Sequence, residues 1–292
     1  LAGVLFLSFD LTAKEPAPYQ LGILTTFVIP RCFQKADIMV EKRRTVLILG
    51  SGADALNASR WPSGLFYSIV AINNAWQVRP DWTHLIYPED FPVDRRPKDF
   101  DAARQFFVAA KDFVPVQNEF GGFVYAGGTM AFTAGYWALG ALKPDVLAFF
   151  GCDMNYGKGP THFYGKGTAD PLREDITLQS LEAKSARLMY MALEKGCLTV
   201  NLSEQPTSRL LFPNHSIGQM NAWNKRTVDG QLACLRQSGN QTKADDALLR
   251  EAELGYMAAS GRYWEGPGRF DAAELRKLDG LWLDWANPIN HI

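Results

Sequence analysis

The feature that most limits how this chain can fold is a series of short, unbroken apolar runs, each stopping at small or polar residues. Thr45–Leu49 stops at Gly50-Ser51-Gly52, Tyr67–Ile72 at Asn73-Asn74, and Thr83–Tyr87 at Pro88-Glu89-Asp90. Gly122–Ala126 stops at Gly127-Gly128-Thr129, and Val146–Phe150 at Gly151-Cys152-Asp153. Runs this continuous belong to strands buried on both faces, as in a parallel sheet, and not to strands with one wet face. Leu198–Asn201 reads as one more strand. Phe100–Lys111, Met130–Leu142 and Glu174–Lys195 read as helices, the second stopped by Lys143-Pro144-Asp145 and the third by Gly196. Strands alternating with helices predict an α/β fold with a mostly parallel sheet and helices on both faces.

The two ends of the chain differ from this middle. After about residue 215 no strand run stands out. Lys243–Ser260 and Asp271–Leu278 read as helices around a turn-rich Gly261–Gly268, and Trp264, Trp282 and Trp285 gather there. Such a helical region suits a cap or a dimer contact, so a homo-oligomer is compatible. At the other end, Leu1–Phe9 and Leu21–Pro30 are two short apolar pieces separated by a polar stretch. They are too short and broken to span a bilayer, and no basic residue precedes Lys14, as a secretory leader would require. Met39 is the expected biological start, with residues 1–38 an extension outside the core.

Composition excludes several classes. Thirty Lys and Arg against 31 Asp and Glu leave a net charge of −1, which disfavours a protein that coats nucleic acid or anionic membrane. No apolar run reaches the roughly 18 residues of a membrane helix. Cys32, Cys152, Cys197 and Cys234 are scattered with no zinc-like spacing, which suits a reducing, cytoplasmic compartment.

In an open parallel sheet, ligands bind beyond the C-terminal ends of the strands, near the point where strand order reverses. The five run ends therefore predict one shared polar pocket. Gly50-Ser51-Gly52 lets backbone pass close to a ligand and aims helix N–H groups at it, although it is neither a Walker loop nor a complete dinucleotide fingerprint. Gly128 and Thr129 open a second helix. Asn73 and Asn74 offer donors and acceptors suited to a ribose or base edge, or simply make a turn. Glu89 and Asp90 are further pocket candidates. The glycine-rich stretch 151–170 carries Asp153, Tyr156, His162, Tyr164, Lys166 and Asp170, a plausible lid with acid/base capacity. Among four histidines, His84 lies inside a strand, His291 is terminal and His215 sits in a loop, which leaves His162 best placed for chemistry. No G-x-S-x-G elbow is present.

The order of these pieces resembles that of the bacterial sialyltransferases that use CMP-sialic acid. It comprises Gly-Ser-Gly, Ile72-Asn73-Asn74, Gly-Gly-Thr before a helix, a strand into Gly-Cys-Asp, and His162-Phe163-Tyr164-Gly165. It is also similar to the MptE-like group, which includes pterin diphosphokinases. The likeness runs over residues 45–212. It implies a Rossmann-like nucleotide-binding domain over 39–215, followed by a helical region over 216–292. It further implies that Gly50, Ser51, Gly52, Asn73, Thr129 and Asp153 contact a donor nucleotide, with Tyr156 and Tyr164 near the departing phosphate. That family needs no metal and uses a histidine as base on the acceptor hydroxyl. Its second histidine is replaced here by Lys166-Gly167, so either His162 is the base or the reaction is not sialyl transfer. The expectation is a nucleotide-dependent, metal-independent glycosyltransferase with a CMP-type donor and a glycan or small acceptor. The alternatives are a diphosphokinase using ATP and Mg²⁺, with Asp153 and Asp170 linked to the metal, and a non-catalytic nucleotide-binding protein.

Overall fold

A computed structural model describes residues 43–156, 161–165, 174–266 and 268–289. The apolar runs form parallel strands: β1 (Thr45–Leu49), β2 (Ser68–Ile72), β3 (His84–Ile86), β4 (Phe106–Val108), β5 (Val146–Phe150) and β6 (Leu198–Asn201). Their order across the sheet is β4-β3-β2-β1-β5-β6, and every pairing is parallel. Every residue of β1, β2, β5 and β6 is buried, as their unbroken apolar character requires. The sequence therefore folds as a Rossmann-like α/β protein with additional C-terminal helices.

The helices are α1 (Ala110–Glu119), α2 (Phe123–Ala126), α3 (Met130–Ala141), α4 (Leu181–Glu194), α5 (Ile217–Asn221), α6 (Lys225–Ser238), α7 (Gln241–Leu254) and α8 (Ala272–Ala286). Strands β1 to β4 step outward in one direction, linked by connections that carry only 3-10 turns at Ala55–Arg60, Asn73–Val78 and Val93–Arg95. The chain then returns through α1–α3 to place β5 on the other side of β1, and α4 leads on to β6. Right-handed crossovers put the two sets of connections on opposite faces. Successive β5 residues mark them: Phe149 packs near α3, α4 and Phe212, while Phe150 meets Trp61 beside the first 3-10 turn. None of the described helices is long and apolar enough to cross a membrane.

Several sequence assignments change, among them the ends of the last two helices, which fall at Leu254 rather than Ser260 and at Ala286 rather than Leu278. Phe100–Lys111 is not a helix: Phe106–Val108 pairs with β3 as an edge strand, and α1 begins only at Ala110. Asp101 ends the preceding turn by accepting from the Ala103 and Arg104 amides, through its side chain and its backbone respectively. Gly122–Ala126 is a helical turn and not a strand. Its four apolar residues are all buried, so their pattern fits either state, and Gly121 and Gly122 at φ 88° and 78° bend the chain away from strand geometry. Glu174–Lys195 divides at Ser180, whose hydroxyl caps α4 through the Ala183 amide, leaving a separate 3-10 turn at Ile176–Leu178. Helix α6, not anticipated, carries Val228, Leu232 and Leu235 on its buried face at helical spacing, and α7 stops at Gly255 in the left-handed conformation.

Buried ion pairs hold the C-terminal helices against α4. The Arg187 guanidinium forks onto Glu251 of α7 at 2.7 Å through both Nε and Nη2. It also donates to Tyr136 Oη and to the Phe120 carbonyl. Trp282 of α8 donates to the same carboxylate, and Lys184 pairs with Asp279 at 2.7 Å. Burial by itself would lower the Arg187 pKa, but Glu251 and Tyr136 outweigh it and raise it. Because removing one partner strands the other charge, Arg187→Met is expected to cost about 3–5 kcal/mol in urea unfolding. The same change at the half-exposed Arg209, paired with Glu182, should cost about 1 kcal/mol or less.

His84 sits between Phe106 and Trp137, bonded to Ser68 and Thr83, and burial pushes its pKa down from 6.5 to about 4. The unfolded chain then binds a proton here that the folded chain refuses. Stability should fall as pH drops from about 6.5 towards 4, and His84→Gln should flatten that slope in melting curves.

Candidate functional site

Strand order reverses between β1 and β5, so the ends of these two strands are where an open sheet of this kind places a ligand. The two turns lie directly against one another. Gly50 N–H donates to Phe150 O at 2.8 Å and Gly52 N–H to Gly151 O at 2.9 Å. A Cβ on Gly50 would stand 2.2 Å from Gly151 O and 2.6 Å from Cys152 Sγ, and Gly151 itself has a φ of 65°. These glycines are thus required by chain packing alone. The expected helix N-terminus after them is replaced by the short 3-10 turn Ala55–Arg60.

Ser51 is the residue of this turn that reaches outward. Its Oγ lies 3.1 Å from His162 Nδ1, and its carbonyl accepts from Phe163 N at 3.0 Å. His162 and Gly165 exchange backbone bonds of 3.2 and 2.9 Å, closing a tight turn that fixes the ring. The Tyr164 ring stacks on His162 with centroids 5.0 Å apart and planes within 9°. Burial lowers the His162 pKa, only partly opposed by Ser51, which favours the neutral imidazole.

Tyr164 also lines a cleft of about 310 Å³ with Asn74, Gln77 and Arg95. The asparagine pair divides its labour. Asn73 takes φ 51°, which its short side chain tolerates, and so turns the chain straight off β2, while the buried Asn74 contributes to the cleft wall. Gln77 and Arg95 carried no signal in the sequence beyond lying in loops after strands. Nothing in the spacing separates Arg95 from Arg96, whose guanidinium instead bonds Phe91 O and covers the Tyr87 ring.

Other anticipated residues lie elsewhere. Asp153 is buried, with its carboxylate accepting from Ser203 Oγ at 2.7 Å and Asn201 Nδ2 at 3.4 Å, so it ties β5 to the end of β6. Asp54 approaches it: burial first, and Asp153 second, raise the Asp54 pKa, and its Oδ2 has no partner among the described residues. Burial pushes Tyr156 up to about 12, with Cys152 adding and Arg209 opposing. Gly128 N–H donates to Thr177 Oγ1 and Thr129 caps α3 through Phe132 N, so both serve the local chain. Glu89 is exposed and pairs with Arg262, and Asp90 is exposed. His215 packs edge-on against Trp223. Lys166, Asp170 and His291 lie outside the described residues. Among the described residues no group of three His, Cys, Asp or Glu side chains could hold a metal.

If the glycine contact sets the site, Gly50→Ala must push the β1 and β5 turns apart. Its melting temperature should drop by several degrees, the equivalent of about 1–3 kcal/mol, whereas Ala53→Gly beside it should change little. No family model, curated protein or solved structure matches the chain.

Proposed function

We propose that the protein is a nucleotide-dependent transferase, a metal-independent glycosyltransferase of sialyltransferase-like type with a CMP-type donor. The observation that carries this reading is a histidine clasped to Ser51 at the strand-order reversal, beside a cleft walled by two amides, an arginine and a tyrosine. With Nδ1–H donated to Ser51 Oγ, the Nε2 lone pair takes the proton of the acceptor hydroxyl. The acceptor oxygen then bonds to the anomeric carbon as the carbon–oxygen bond to phosphate breaks, and the nucleotide leaves with that electron pair. In this reading the Tyr164 phenol donates to the developing phosphate charge. Asn74 offers its amide to the nucleoside. The free Cys152, Cys197 and Cys234 thiols suit a reducing cytoplasm as the setting.

The Asp54–Asp153 approach favours one alternative, a diphosphokinase in which Mg²⁺ would relieve the paired carboxyls. A thermal-shift panel of CMP, CDP, UDP, GDP, ATP and NAD, with and without Mg²⁺, separates the readings. Stabilisation by CMP or CDP without metal is expected. A dominant NAD response, or no nucleotide response, contradicts the proposal, and Mg²⁺-dependent formation of AMP from ATP selects the alternative. Turnover should fall by about 10²–10⁴ in His162→Ala. In the native enzyme the rate should hold steady at neutral pH and decline towards acid pH, as His162 gains its proton.

A further inference from the structure

We propose that Arg95 is the anion-recognising residue of the cleft, receiving an oxyanion of the substrate, a phosphate or a carboxylate, against its guanidinium. This rests on the reading of the β1–β5 edge as a substrate site and adds the ligand chemistry that the site selects.

The backbone of Arg95 is fixed from two sides. Its carbonyl accepts from Trp76 Nε1 at 3.0 Å, and its N–H donates to Pro92 O at 3.2 Å. The first bond ties it to the 3-10 turn that follows β2, the same turn that supplies Asn74 and Gln77 to the cleft. Arg95 therefore keeps its place relative to the other wall residues.

Its guanidinium stands apart from those of comparable arginines. Arg79 is satisfied by Asp81 and by the Ala58 and Trp61 carbonyls, Arg187 by Glu251, Arg209 by Glu182, and Arg96 by Phe91 O and the Tyr87 ring. Among the described residues the bonds to Arg95 are made to its backbone, and no ion pair or hydrogen bond engages its guanidinium. A half-buried cation left without a carboxylate, on a concave wall beside two amides, is arranged to accept one from outside. Asn74 and Gln77 supply N–H donors that fit the remaining oxygens.

The location links recognition to chemistry. Tyr164 is shared between the cleft wall and the stack on His162, so an anion held by Arg95 lies next to the Ser51–His162 pair. The cleft volume, about 310 Å³, admits a small molecule, and the chain's overall charge of −1 gives no general attraction for polyanions. The positive charge works here as a single local contact.

Isothermal titration of the full chain with CMP, cytidine, pyrophosphate and N-acetylneuraminate, on native protein, Arg95→Gln and Arg95→Lys, tests this. Melting temperatures of the variants, expected to match the native one, check that both fold. For phosphate, Arg95→Gln should weaken CMP and pyrophosphate by about tenfold or more, leave cytidine unchanged, and place Arg95→Lys between. For carboxylate, CMP stays unchanged and N-acetylneuraminate weakens by a similar factor. Binding of either simple anion that depends on Arg95, with no binding of CMP or cytidine, keeps this inference and removes the nucleotide reading. Nucleotide binding that Arg95→Gln leaves intact for every anion keeps the nucleotide reading and overturns this inference. Failure of the native protein to bind any of the anions also overturns it.

Discussion

The approach of two glycine turns, at Gly50 and Gly151, is the constraint from which the upper edge of the molecule follows. Parallel pairing of β1 with β5 brings their C-terminal ends together, and only residues without a side chain allow the backbone bonds that close the gap. Beside these bonds Ser51 presents its hydroxyl to His162. A loop that looks as though it exists for a ligand is first a solution to a packing problem. Its chemical consequence is the placement of one serine.

The two faces of the sheet make unequal demands. Beyond β1 to β4 the connections are short 3-10 turns, which bring Asn74, Gln77 and Arg95 close to the strand ends without a full helix between them. The opposite face carries α3 and α4, and α4 needs partners of its own. Lys184 and Arg187 on that helix are almost fully buried, and a buried cation without a carboxylate is untenable. Glu251 and Asp279 arrive from α7 and α8 to meet them. The C-terminal helices are thereby tied to the sheet layer by electrostatic necessity as well as by apolar contact.

Much of this was legible in the residues, and the gaps have physical causes. Continuous apolar runs located five of the six strands, because burial on both faces leaves no other pattern. β4 lacks this pattern, since Phe106 and Phe107 lie on an exposed edge, where a three-residue strand exists only through its pairing with β3. The turn at 123–126 carries it without being a strand, because four buried apolar residues look alike as strand or helix. His162 and Tyr164 stood out as titratable and aromatic residues on a glycine-rich loop, and Asn74 as a strand-end amide. Arg95 could not, since an arginine that bonds within the fold and one that faces a cleft are identical as letters. Asp153 was singled out for its place at a strand end, but a buried carboxylate also serves to tie adjacent strand ends, and Ser203 and Asn201 show it doing so.

The proposed chemistry stands on a proton acceptor at the reversal point of the sheet, held ready by Ser51. The tautomer of His162 tests it most directly, by long-range ¹H–¹⁵N spectra of the imidazoles at pH 7.5, assigned by comparison with His162→Ala. A neutral ring with its proton on Nδ1, donated to Ser51, and a bare Nε2 is expected. A proton on Nε2, or a cationic ring at that pH, would contradict it.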